Sequence, residues 1–169
     1  MIKDFTELLM GYDLRSLGKS SEIIPLINSQ NTFDRVFTYL YNNDRAIVMK
    51  TIDIIEKISL EHKEYLQKYK LEIINMSNSV ENIELKWHLA QIIARIKYTN
   101  SEIKSVYKIL EKWIIDKKES KIVRVNSLQS LYEIAKNNNE YKNNLIKIVK
   151  KIKEENISSI NARIKKLGL

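Results

Sequence analysis

His62 and His88 are the only imidazoles in the chain, and cysteine is absent. A zinc site usually draws three or four ligands from Cys, His, Asp and Glu. His88 with Asp53 as its one candidate carboxylate falls short of that. No serine stands in a nucleophile elbow, and no glycine-rich run could cradle a phosphate. Neither disulfides nor thiolate chemistry can operate. The sequence thus offers no catalytic constellation, and an enzyme, a metal or a cofactor is not expected. The residues that invite a role are of another kind. On a helical wheel, Leu85, Leu89, Ile93 and Ile96 mark a buried direction. Trp87 then points about 140° away from the centre of that apolar arc. An aromatic residue turned outward beside Gln91 and Arg95 has the composition of a binding surface, an anchor within a polar rim. The alternative is that Trp87 packs on a neighbouring helix.

The elements that hold Trp87 repeat every 38 residues. Ile47, Leu85 and Val123 each open one pattern. Thr51/Leu89/Ser127, Ile55/Ile93/Leu131 and Ile58/Ile96/Ile134 continue it in the same register. Periods of 20–50 residues indicate stacked repeats rather than a globule. Apolar spacing predicts helices near 3–10, 21–29, 32–41, 44–59, 63–77, 82–97, 101–116, 120–137, 140–154 and 158–167. They pair as a first helix, A, and a second helix, B. Between the third and fourth A helices the register again holds, as in Tyr107/Leu145, Leu110/Ile148 and Ile114/Ile152. In the second A helix Leu66, Tyr69, Ile73 and Met76 fit less closely. Thr99 and Glu102 have capping-box spacing, and Gly168 suits a helix C-cap. Ser20 or Ser21 can cap the next helix with Pro25 in or near its first turn. Trp113 falls on an apolar stripe with Leu110 and Ile114 and is expected in the core.

The stretch Val123-Arg124-Val125-Asn126-Ser127-Leu128-Gln129-Ser130-Leu131 resembles the B helix of HEAT repeats. Asp44 to Ile58 and Glu84 to Ile96 are weaker copies. Asp13-Leu14-Arg15-Ser16-Leu17-Gly18, Met49-Lys50-Thr51-Ile52-Asp53 and Trp87-His88-Leu89-Ala90-Gln91 extend the likeness to small microbial HEAT-repeat proteins over most of residues 8–167. The resemblance implies an all-α fold, a right-handed α-α superhelix (a HEAT-like solenoid) of about four helical hairpins with N-terminal capping helices. It further implies one domain over 1–169, with a cap near 1–30 and repeats near 31–60, 61–98, 99–137 and 138–169. In such solenoids the B helices line the concave side. Two departures stand out. Lys86 replaces the family's B-helix Arg, and Val48 carries no charge there, so the family's usual ladder of ionic contacts does not carry over directly. In the last repeat, Ala162-Arg163-Ile164 is matched to Val123-Arg124-Val125 with one extra residue.

Stacking the repeats would align Met49, Trp87 and Val125, with Asp53, Gln91 and Gln129 beside them. Lys50, His88 and Asn126 would flank one edge, and Arg95 and Tyr132 would lie a turn further on. These eleven residues form the candidate binding surface. A non-enzymatic scaffold that receives a protein or peptide segment is the leading reading.

Nucleic-acid binding is the rival, because the net charge is +8 and residues 136–169 carry nine basic to three acidic side chains. Trp87 could stack on a base, while Lys50, Arg95, Arg124 and the basic C-terminal end could meet phosphates. The HEAT-like alkylpurine DNA glycosylases share the architecture. A bias towards Lys that merely solvates helix surfaces explains the same charge. No apolar run is long enough for a membrane span, and a cytoplasmic protein is expected. The loop Tyr12-Asp13-Leu14-Arg15-Ser16-Leu17-Gly18-Lys19 could send Arg15 towards Asp53, or could simply use Asp13 and Gly18 for its turn.

Overall fold

The structure, a computed structural model, describes residues 5–9, 20–136 and 138–169. They gather into two compact units, Met1–Lys68 and Tyr69–Leu169. Every regular element among the described residues is helical.

The first unit is built around α4 (Arg45–Glu61). Asp44 caps it by accepting the Ala46 backbone N–H at 2.8 Å. Three shorter helices pack on α4: α1 (Phe5–Leu9), α2 (Ser20–Ile23) and α3 (Gln30–Phe37). The helix expected over 21–29 is instead a single turn, α2, followed by a 3-10 turn at Ile24–Leu26. Pro25 sits in that turn, where its missing N–H leaves no helical bond unmade. Ser29 and Thr32 start α3 through a reciprocal capping box, and a 3-10 turn, Thr38–Tyr41, ends it. Phe33 is fully buried and packs against Phe37 and Tyr65. Ile47, Ile52, Ile55 and Ile58 supply the inward stripe of α4.

The chain leaves this unit where the 3-10 run Lys63–Tyr69 gives way to α5 (Lys70–Ser79). The irregular stripe of Leu66, Tyr69, Ile73 and Met76 reflects that change of helical period. Leu66 and Ile73 are buried, and the other two are only partly so.

Three hairpins make the second unit. They are α5 with α6 (Ile83–Ile92), α7 (Asn100–Ile115) with α8 (Lys121–Ala135), and α9 (Asn139–Lys153) with α10 (Ser158–Leu167). The A helices α5, α7 and α9 pack in sequence as one layer. The B helices α6, α8 and α10 form the other. Helices of ten to sixteen residues are marginal alone in water, so this mutual burial is what holds them. The expected Thr99–Glu102 capping box is present: Thr99 N–H donates to Glu102 Oε2 at 2.8 Å. Gly168 ends α10 with φ 69°, a left-handed conformation that glycine adopts without strain. Trp113 lies in the core with 5% exposure.

Hydroxyls at one repeat position are accommodated by local bonds. Thr51 and Ser127 are fully buried, and each donates to the carbonyl four residues back, Ile47 and Val123. That bond satisfies the hydroxyl inside the core. Ser130 reaches further and donates to the Ala90 carbonyl at 2.5 Å. Ala90 lies in the last turn of α6, before the 3-10 turn Ile93–Arg95, where helical carbonyls run short of partners.

The ionic ladder is more complete than the sequence suggests. Arg124 is 1% exposed. Its Nε donates to the Ile114 carbonyl at 2.9 Å, and its two terminal nitrogens grip Glu155 at 2.8 and 2.9 Å. Lys86 makes the equivalent rung one repeat earlier, with Nζ 2.6 Å from Glu119, and it also lies over the Trp113 ring, 5.9 Å from its centroid. A lysine can replace the arginine because its ammonium needs only one well-placed carboxylate, whereas Arg124 also serves a carbonyl. In each rung the base sits on a B helix and the acid in the turn of the next hairpin.

The Arg124 guanidinium holds the Glu155 carboxyl below its ordinary value of 4.5. A depressed carboxyl contributes its stability in full above that ordinary value and loses it as pH falls through the folded value. The substitution Glu155→Gln should cost about 2 kcal/mol or more, less than for a fully enclosed pair because Glu155 keeps some exposure. Urea unfolding followed by circular dichroism measures this. The same variant should flatten the loss of stability below pH 4.5. A destabilisation equal at pH 7 and pH 3 would contradict it.

Candidate functional site

Two caps set the phase of the B-helix face in the second unit. Asn82 starts α6 by accepting the Leu85 N–H at 3.0 Å. Ser120 starts α8 by accepting the Val123 N–H at 3.4 Å. Trp87 and Val125 thereby fall at the fifth residue of two packed helices. Gln91 and Gln129 follow one turn on. All four are half-buried, as are Arg95 and Tyr132. Leu89 and Ile92 of α6 and Leu128 and Leu131 of α8 are fully buried, whereas Ile83 and Ile122, near the helix starts, are 52% and 48% exposed. Trp87 is neither sealed in the core nor wholly exposed. Its indole stacks on the His88 ring, with centroids 3.6 Å apart and planes inclined by 27°.

A polar chain crosses from α10 to α8 beside this face. Arg163 Nη1 donates to Gln129 Oε1 at 3.0 Å. Gln129 Nε2 donates to Glu133 Oε1 at 2.9 Å. Lys136 Nζ donates to Glu133 Oε2 at 2.7 Å and lies 5.0 Å from the centre of the Tyr132 ring. Glu133 and, more weakly, Tyr132 raise the Lys136 ammonium's pKa, keeping it charged. Both ends of the Gln129 amide are therefore engaged, and it links Arg163 to Glu133.

Several residues expected at the surface turn inward. Lys50, His88 and Asn126 have exposures of 8%, 5% and 9%. These equivalent positions on the B helices lie close to the buried arc, and packing of neighbouring elements closes over them. Lys50 uses its long stem to bring Nζ to the Leu9 carbonyl at the end of α1, 3.2 Å away. Arg124 is likewise enclosed and spent on Glu155, so it is not placed to meet phosphates. In the first unit Met49 and Asp53 stay half-buried on α4, and Lys57 Nζ lies 2.6 Å from Asp53. The loop Tyr12–Lys19, with Arg15, lies outside the described residues.

Arg163 was not among the expected site residues; the sequence matched it only to Arg124, with one extra residue. The apolar stripe Ile160–Ile164 decides otherwise. Both isoleucines are buried, Ala162 is exposed and Arg163 is half-buried. That is the reverse of the Val123, Arg124, Val125 pattern. Reading the last helix from its isoleucine spacing, rather than from the Arg-containing triplet, would have revealed this.

Two surface cavities of about 440 Å³ are present among the described residues. One runs beside Ile24, Pro25, Lys57 and His62, the other beside Tyr132, Lys142, Leu145 and Ile146. Only Tyr132 belongs to the expected surface. Among the described residues no three His, Asp or Glu side chains gather as a metal site, and no helix is long and apolar enough to cross a membrane.

Stacked A and B layers, core hydroxyls and repeat-to-repeat ion pairs define a class, the all-α proteins built from tandem helical hairpins. Comparison with known families narrows it: a family model described as a HEAT repeat domain matches residues 14–167. The chain belongs to the HEAT-repeat family. No curated protein and no solved structure matches it. HEAT repeats generally serve as protein-interaction scaffolds, and the family is typically non-enzymatic.

The contrast between the two indoles is measurable. In single-tryptophan variants, Trp113→Phe should leave an emission readily quenched by acrylamide, from half-buried Trp87. Trp87→Phe should leave a blue-shifted, weakly quenched emission from Trp113. Equal quenching in the two variants would contradict the placement of Trp87.

Proposed function

We propose that this chain is a non-enzymatic scaffold whose B-helix face binds a protein segment. Trp87 is the anchor, with Val125 and Tyr132 extending the apolar contact. Gln91 and Arg95 orient the bound backbone and side chains.

One observation carries this reading. Trp87 keeps a half-buried indole on α6, stacked on the buried His88 ring and two residues from the fully buried Leu89. Tryptophan is enriched among residues that dominate binding energy, and a partner would complete the burial. The family's general use as a scaffold supports the reading further.

The test is affinity capture from native extract with the full chain, followed by direct binding to the captured partner. Trp87→Ala should weaken binding by about 2 kcal/mol, or roughly 30-fold. Retention of full affinity by that variant would overturn the assignment. Nucleic-acid binding is the poorer reading, since Arg124 and Lys50 are committed inside the fold. A gel shift with single- and double-stranded DNA and RNA should show no complex even at low salt, where phosphate contacts are strongest. Salt-sensitive binding there would favour nucleic acid instead.

A further inference from the structure

Arg163 is the half-buried cation of α10, and its surroundings differ from those of Lys86, Arg124 and Lys136. Lys86 and Arg124 are paired with Glu119 and Glu155 inside the ladder, and Lys136 is paired with Glu133. Among the described residues no carboxylate pairs with Arg163. Its hydrogen bond is to Gln129, a neutral amide, through one terminal nitrogen. A guanidinium carries five N–H donors in a planar fork that matches a carboxylate at two points. Gln129 is itself fixed by Glu133, so it holds one edge of that fork in place. Glu133 cannot move over to neutralise Arg163 without leaving both Gln129 and Lys136. Half-burial raises the strength of any ion pair formed there relative to one in open water.

The geometry points to Arg163 as a carboxylate-binding subsite of the B-helix face, so that the bound segment carries an acidic residue as well as an apolar anchor. This rests on the reading of that face as a protein-binding surface. Charge complementarity selects the occupant: an acidic side chain supplies what Gln129 cannot. The layer order α6, α8, α10 sets the spacing. Neighbouring helix axes lie about 8–10 Å apart, which places Arg163 about 16–20 Å from Trp87. An extended segment rises about 3.3 Å per residue. The acid therefore falls about five to six residues from the anchor, with the chain running across the B helices.

Random twelve-residue peptides displayed on phage and selected against the full chain test this. A synthetic copy of a selected peptide is then titrated by fluorescence anisotropy against the wild type, Trp87→Ala and Arg163→Gln. Selected peptides should carry Asp or Glu about five to six residues from an aromatic or large aliphatic residue. Changing that acid to its amide should weaken binding to the wild type about tenfold or more, and should change little against Arg163→Gln. Where Arg163→Gln does not fold, Arg163→Met keeps the apolar stem and takes its place.

Peptides that need Trp87 but carry no such acid would overturn the subsite and leave the B-face reading standing. So would an acid-to-amide ratio that is the same in wild type and variant. If selection yields no peptide, or only peptides indifferent to Trp87→Ala, both readings fall.

Discussion

The guanidinium of Arg124 is the constraint around which the second unit is organised. It is a full charge held almost out of contact with water, and such a charge is tolerated only when each of its donors finds an acceptor. Ile114 supplies a carbonyl from its own hairpin, and Glu155 supplies a carboxylate from the next. The α7/α8 hairpin and the turn after α9 must therefore be in place together. Apolar stripes alone would leave the hairpins free to slide by a turn, because Ile and Val pack nearly as well one position along. A guanidinium with three defined bonds, two to Glu155 and one to the Ile114 carbonyl, does not allow that slip. Lys86 and Glu119 set the previous interface in the same way with a single, simpler bond.

This registry determines what the B layer displays. Once α6 and α8 are locked, Trp87 and Val125 have only one direction to face. The helix positions next to the seam, His88 and Asn126, are drawn in. The remaining face is narrow: a half-buried indole, an aliphatic residue, amides and a chain of alternating charges. Charges near this face are mostly spent on one another, so on the proposed reading specificity rests on the few groups left with capacity, above all Trp87 and Arg163.

Much of this could be read from the sequence. The 38-residue spacing of Ile47, Leu85 and Val123 placed the B helices, and Thr99 with Glu102 located the start of α7. Trp113 was correctly assigned to the core from its neighbours Leu110 and Ile114. Pairing was harder to read. Lys86 looked like a gap in the ladder because its partner, Glu119, lies 33 residues away in an ordinary-looking turn. Lys50, His88 and Asn126 looked like surface because a helical wheel treats a helix as isolated, and it is packing against other elements that buries them. Arg163 was passed over because the triplet match says nothing of the isoleucine stripe that sets the rotation of α10. Periodicity reports which side of a helix is apolar, whereas a site depends on what the adjoining helix brings to its edge.

Each rung of the ladder joins a base on one hairpin to an acid on its successor, so the natural seams of the chain do not coincide with its covalent hairpins. A cut after α8 would produce two tidy helices and strand Arg124 in an apolar wall with no counter-charge. Shortening, duplicating or grafting these units must carry the following turn along with the hairpin it neutralises. The smallest portable piece is thus a hairpin plus the acidic corner of its neighbour, and copies added without that corner would import a buried charge with each one.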